Sequence, residues 1–179
     1  MYIFVVLSNI MSHFTLIPTH KITERLRFEN TWWLSRRVSS FYDSMRRRLY
    51  FDLFFPYVEE TEVRRAVVLM GPRRVGKTVM LFHSIQRLLE LGIEPQKIFF
   101  IGMDNPVYVN LGLEDLLELC KLSLGLESIS GCYVFFDEIQ YLKDWERHLK
   151  VLVDSYPDTK FVASGSAAAA LKWHSTESG

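Results

Sequence analysis

Gly71-Pro72-Arg73-Arg74-Val75-Gly76-Lys77-Thr78 fits G-x-x-x-x-G-K-[ST], the pattern of a phosphate-binding loop. The spacing follows from the chemistry. The two glycines let the backbone curl until successive N–H groups point inward and cradle phosphate oxygens. Lys77 then reaches the β- and γ-phosphates as a point charge, and the Thr78 hydroxyl is placed to ligate Mg²⁺. The flanks agree. Arg65-Ala66-Val67-Val68-Leu69-Met70 is a short apolar run ending at a Gly-Pro turn, as a buried parallel strand does. Val79 to Leu91 is a longer apolar run that stops at Gly92, which predicts a helix with glycine just past its end. The positive N-terminal end of that helix faces the same anion. The candidate nucleotide-binding set is therefore Gly71, Pro72, Arg73, Arg74, Val75, Gly76, Lys77, Thr78 and Val79.

A second element answers the first. Cys132-Tyr133-Val134-Phe135-Phe136-Asp137-Glu138 is an apolar strand ending in two carboxylates, about 60 residues downstream, which is the Walker B pattern. Parallel strands present functional groups at their C-terminal edge, where nucleotides bind in open α/β folds. Asp137 there supports Mg²⁺, through water, beside Thr78. Glu138 is the candidate general base that polarises the attacking water. Two more strands are predicted at 98–102 and 160–164, with helices over Leu113 to Leu124 and from Trp145 to a stop at Pro157. The polar end of the last strand offers Ser164, and after it Ser166, as a residue lying between the Walker B carboxylates and the γ-phosphate. The helix-favouring run from Ala167 to Trp173 follows.

Upstream of the loop the pattern changes. Met1 to Leu7 is apolar but far shorter than the ~20 residues a spanning helix needs, so no membrane segment is expected. It also lacks the basic flank of a signal peptide, and Met11 is a candidate true start. From Glu24 to Arg48 the spacing reads as helical, with Trp32, Trp33, Val38, Phe41 and Tyr42 among arginines, and an aromatic run closes at Pro56. Interleaved aromatic and basic residues allow a nucleic-acid platform. The favoured expectation is an amphipathic helical arm, residues 1–60, packed on a nucleotide-binding core of residues 61–179 or on a partner.

The 49% hydrophobic content suits an α/β domain with a proper core. Net charge is zero, yet residues 1–77 carry 13 Lys/Arg against 7 Asp/Glu and residues 78–179 carry 8 against 14. The basic excess lies in Arg36-Arg37, Arg46-Arg47-Arg48, Arg64-Arg65 and Arg73-Arg74, and such runs are mostly solvated faces, which keeps nucleic acid a weak expectation. Cys120 and Cys132 share no C-x-x-C spacing, and the five histidines are scattered. The cysteines read as small buried residues of a cytoplasmic protein.

Taken together, the chain resembles the AAA+-like ATPases of bacteria and archaea that join an AAA domain to a C-terminal domain. The resemblance rests on Trp32-Trp33, on Gly71 to Thr78, on Asp104, on Asp137-Glu138-Ile139-Gln140 with Asp144-Trp145-Glu146, and on Gly165-Ser166. It implies a P-loop NTPase of the ASCE type: a three-layer αβα sandwich with a mainly parallel sheet, preceded here by the helical arm. It implies ATP with Mg²⁺, and Glu138 as catalytic base. It also implies a Gly-Arg pair, a fifth strand beside the P-loop strand and a long further domain, none of which follows Gly179 in this sequence. The expectation is thus a truncated or partial chain that binds ATP and hydrolyses it slowly for want of that arginine. A sheet edge would be left open to another chain. Its partners would be the C-terminal domain in cis, another protein or a second copy. Preference for ATP over GTP rests on this resemblance and on the absence of an Asn-Lys-x-Asp stretch.

Overall fold

The computed structural model describes residues 18–166, so the Met1–Leu7 run, Met11 and the run from Ala167 lie outside the described residues. Among the described residues four helices come first and strands and helices alternate after them: α1 (Thr19–Glu29), α2 (Trp32–Ser35), α3 (Ser40–Asp43), α4 (Phe51–Glu59), β1 (Val67–Gly71), α5 (Lys77–Glu90), β2 (Ile98–Gly102), α6 (Leu113–Leu124), β3 (Tyr133–Asp137), α7 (Trp145–Ser155) and β4 (Lys160–Ser166). Short 3₁₀ turns cover Pro95–Lys97, Pro106–Tyr108 and Ile139–Tyr141.

The four strands form one all-parallel sheet in the order β1-β4-β3-β2. A parallel β-α-β connection is right-handed. The step from β1 across to β2 therefore puts α5 on one face, and the return through β3 to β4 puts α6 and α7 on the other. This is the three-layer α/β sandwich of a P-loop NTPase. The strands β2 and β3 are buried at every position, as continuous apolar runs between two helical layers must be. The register aligns the strand ends, with Gly71 opposite Ser166 and Gly102 opposite Asp137. All the chemistry-bearing ends thus lie along one edge.

The region before β1 departs from its periodicity. The helical pattern from Glu24 to Arg48 is three short pieces, broken where Arg36 takes a left-handed φ of 57°. Pro56, expected to close the aromatic run, sits inside α4 on its exposed side. Only one N–H is lost there, while Phe51, Phe55 and Val58 bury on the opposite face, and that burial carries the helix past the proline.

The same region closes the β2 edge. An edge strand leaves alternate backbone groups unpaired, and buried ones need partners. Here the Asn30 side chain accepts from Phe100 N–H (2.6 Å) and donates to Phe100 C=O (2.8 Å). The indole N–H groups of Trp32 and Trp33 both donate to Ile98 C=O, at 3.0 and 2.8 Å. Glu29 accepts from Gly102 N–H at 3.4 Å. Three side chains and a carboxylate stand in for a neighbouring strand, and one apolar core runs through arm and sheet alike. At the opposite edge β1 pairs only with β4 among the described residues and is partly exposed along its length.

Candidate nucleotide site at the strand ends

The loop between β1 and α5 carries two residues in the left-handed region, Arg74 at φ 65° and Gly76 at φ 92°. Such turns point neighbouring N–H groups into one concavity. Helix α5 begins at Lys77, directly after Gly76. The Lys77 side chain is folded back over the loop, donating to the carbonyls of Gly71 (3.3 Å) and Pro72 (3.0 Å), and is almost wholly buried. From the arm, the Arg48 guanidinium lies against Gly76, so that a Cβ there would come within 2.7 Å of it. Arg73 and Arg74 line the adjoining cavity of about 770 Å³, whereas Val75 is exposed and Val79 half-buried.

Across the loop stands β3. The Thr78 hydroxyl donates to Asp137 Oδ2 at 2.7 Å. The Ser164 hydroxyl donates to Asp137 Oδ1 and accepts from Glu138 N–H at 3.2 Å. Burial pushes the Asp137 carboxyl above the usual range; the bonds from Ser164 and Thr78 pull it down, and nearby Glu138 and Asp104 push it up again. Glu138 itself turns on a left-handed φ of 53°, a strained conformation for a non-glycine residue that recurs at functional sites. Its carboxylate lies 3.9 Å from Lys77 Nζ and accepts from the Gln140 amide.

Lys77, Thr78, Asp137, Glu138 and Ser164 are therefore brought together. Ser164 is wholly buried, with its single proton given to the Asp137 carboxylate and its oxygen taking the Glu138 backbone N–H, so it touches the cleft only through these two residues. Ser166 contributes a backbone N–H, which Gln140 Oε1 accepts at 3.1 Å. Among the described residues no group of three or more His, Cys, Asp or Glu forms a metal cage. A hydroxyl beside one carboxylate, open to a cavity, fits Mg²⁺ instead: that ion takes few protein oxygens and completes its shell with phosphates and water.

Sequence reading gave no role to the rest of the cavity lining. Glu29 of α1 accepts from Tyr108 O–H (2.8 Å) and from Arg25 Nε (2.7 Å), and burial raises its carboxyl above the ordinary value. Arg25, Phe28, Glu29, Tyr42, Phe82 and Asp104 line the same cavity as Arg73, Arg74 and Thr78. Gln140 was visible only as a motif letter. Nothing in the spacing reports that it reaches both Glu138 and β4. No helix among the described residues is long and apolar enough to cross a membrane.

A family model described as an AAA domain matches residues 63–179, well over half of the chain. An uncharacterized protein of Methanocaldococcus jannaschii is 30% identical over 139 residues, covering 75% of this chain and 29% of that protein. A second one from the same organism is 32% identical over 88 residues, 49% of this chain and 18% of that protein. An uncharacterized protein of Haemophilus influenzae is 28% identical over 102 residues, covering 56% and 25% respectively. The chain spans less than a third of the length of these relatives.

Proposed function

The chain belongs to the AAA-domain family, a nucleotide-binding, ATPase-like family, and on that premise we propose that its cleft binds Mg·ATP and hydrolyses it. The observation that carries the proposal is the meeting of loop and carboxylates. Thr78 Oγ1 and Asp137 Oδ2 lie 2.7 Å apart, and Lys77 Nζ lies 3.9 Å from Glu138. In this reading the backbone N–H groups of residues 73–79 would hold the β- and γ-phosphates. Lys77 leaves the Gly71 and Pro72 carbonyls for the phosphate oxygens, which hold it more strongly because they are charged. Thr78 and Asp137 would hold Mg²⁺, which would supply positive charge to offset that on the phosphate oxygens. Glu138 takes a proton as water oxygen bonds to the γ-phosphorus and the bond to the ADP oxygen breaks. Ser164 keeps Asp137 and the Glu138 backbone in place. Arg73, Arg74 and Arg48 add positive charge around the polyphosphate.

The work that hydrolysis would drive lies outside the cleft itself. We infer a conformational change in the cytoplasm passed to a further domain in cis, a protein partner or a second copy. The Trp32 and Trp33 rings are buried, so they offer no stacking surface to a nucleic acid, whereas Phe28, Phe41, Tyr50 and Tyr57 are exposed.

Calorimetry with Mg·ATP, together with phosphate release from the same samples, tests the reading. Wild type is expected to bind and turn over, Lys77→Ala to lose binding, and Glu138→Gln to bind while losing turnover by 10²-fold or so, the scale of general-base catalysis. Binding that survives Lys77→Ala, or turnover that survives Glu138→Gln, sinks it.

A further inference from the structure

Gln140 is nearly buried and bridges two strands' ends: its Nε2 donates to Glu138 Oε2, and its Oε1 accepts from Ser166 N–H at 3.1 Å. The bridge occupies space that only a glycine leaves free. A Cβ at Gly165 would come within 3.0 Å of Gln140 Oε1 and 2.9 Å of Met70 Sδ, although Gly165 has no left-handed φ that would itself require glycine. Both carboxylate oxygens of Glu138 are thereby spoken for, Oε2 by Gln140 and Oε1 by Lys77 at 3.9 Å. When Lys77 turns to a phosphate, its hold on Glu138 weakens, and the amide of Gln140 is the side-chain contact that remains.

We propose that Gln140 is the positioning residue of the reaction: anchored on the Ser166 backbone, it fixes the direction in which Glu138 presents its free oxygen to water. This rests on the hydrolysis reading above. An amide is suited to the task because one end must donate and the other accept, and it does both without titrating. The geometry also makes β4 part of the catalytic set, since a shift of Ser166 away from Gln140 would turn the base.

The test is a cycle of variants in the full chain: wild type, Gln140→Ala, Gln140→Glu, Gly165→Ala, Glu138→Gln and the Glu138→Gln/Gln140→Ala double. Gln140→Glu keeps the side-chain volume and an acceptor for Ser166 while replacing the fixed, non-titrating amide donor with a second carboxyl against Glu138. Each is assayed for Mg·ATP affinity by calorimetry and for turnover. Gln140→Ala and Gln140→Glu are expected to lower turnover about 10- to 100-fold, the range seen when supporting hydrogen bonds or a small misplacement are at stake. Their affinity is expected to stay within about twofold of wild type, since Gln140 does not touch the phosphate loop, and this also reports that they fold. Gly165→Ala should lower turnover in the same direction by crowding Gln140. The double variant should be no slower than Glu138→Gln alone, because a residue that acts through Glu138 has nothing left to act on. Wild-type turnover in Gln140→Glu, or a double variant slowed by the product of the two single effects, overturns the assignment while leaving hydrolysis standing. A wild type that binds Mg·ATP without turnover removes the hydrolysis reading and this assignment together.

Discussion

Ser164 has one hydroxyl proton, and it goes to Asp137 Oδ1 while the oxygen takes the Glu138 N–H. Ser164→Ala would leave a buried carboxylate oxygen and a backbone N–H without these partners. An orphaned buried group costs about 1–3 kcal/mol. With two such groups the variant is expected to lose about 2–6 kcal/mol of stability in urea unfolding and to bind Mg·ATP more weakly through a disoriented Asp137. Unchanged midpoint and affinity would contradict the arrangement. Glu29 offers a second residue-scale expectation, this time in pH. Burial is the largest cause acting on its carboxyl and raises it, against donors Tyr108, Arg25 and Gly102 N–H and with Asp104 beside the same glycine. A raised folded-state value means the folded chain keeps a proton that the unfolded chain releases. The contribution is present in full below the unfolded value and is lost as pH rises through the folded one. Glu29→Gln retains an acceptor for Gly102 and cannot titrate. From about pH 4 to 7 the urea midpoint of the wild type should therefore fall relative to that of the variant. A difference that stays flat across this range removes the claim.

At the scale of elements, β2 is where sequence and surroundings part company. Its apolar run predicts the strand Ile98–Gly102, and the strand is there. That its outer edge is closed by Asn30, Trp32 and Trp33 follows from no local pattern, because the partners lie 65 to 70 residues apart in the chain. Asn30→Ala would orphan both backbone groups of Phe100, so a loss of about 2–6 kcal/mol is expected from two such groups. Hydrogen exchange should show the Phe100 amide losing protection first; protection that persists would mean the strand finds its partners elsewhere. The elements that sequence marks well are the ones with local punctuation. Helix α6 runs from Leu113 to Leu124 as its spacing requires, with Gly112 N–H bonded to the Asp115 carboxylate and Gly125 in a left-handed turn at its end. Strands β1 and β3 fall one residue later than their apolar runs, because a hydrophobic run reports burial and not hydrogen-bond register. The same distinction holds for the site. Lys77, Thr78, Asp137 and Glu138 are legible because fixed spacing carries them to one edge. Glu29 and Gln140 are not, because their roles arise only where distant segments touch.

Across the whole molecule, the arm runs from the β2 edge over α5 to the phosphate loop. Tyr42 stacks on Phe82 of α5 at 3.9 Å, its carbonyl meets His83 Nε2 at 3.0 Å, and Arg48 rests on Gly76. Helix α4 follows, with Phe51 and Phe55 buried in the common core. The opposite charges of the two halves of the chain contribute little to this clasp. Among the described residues the ion pair joining arm to core is Arg47–Glu90 at 3.7 Å, with both side chains about half-exposed, and such a surface pair is worth about 0–1 kcal/mol. The clasp is apolar and hydrogen-bonded, and two consequences follow. Arm and sheet should unfold in one transition, so that tryptophan fluorescence, weighted toward Trp32 and Trp33, and far-ultraviolet dichroism give the same urea midpoint. Raising salt from about 0.05 to 0.5 M should shift that midpoint little, because screening acts on exposed pairs and spares packed aromatic contacts. Fluorescence that moves ahead of dichroism would make the arm a separate unit laid on the core, and a midpoint that drops steeply with salt would return the clasp to electrostatics. If both measurements come out as expected, a nucleotide held at Lys77 and Thr78 should protect the arm's amides as well as the loop's. Arg25, Phe28, Glu29 and Tyr42 line the same cavity as Thr78 and Asp137, so opening the arm would open that cavity.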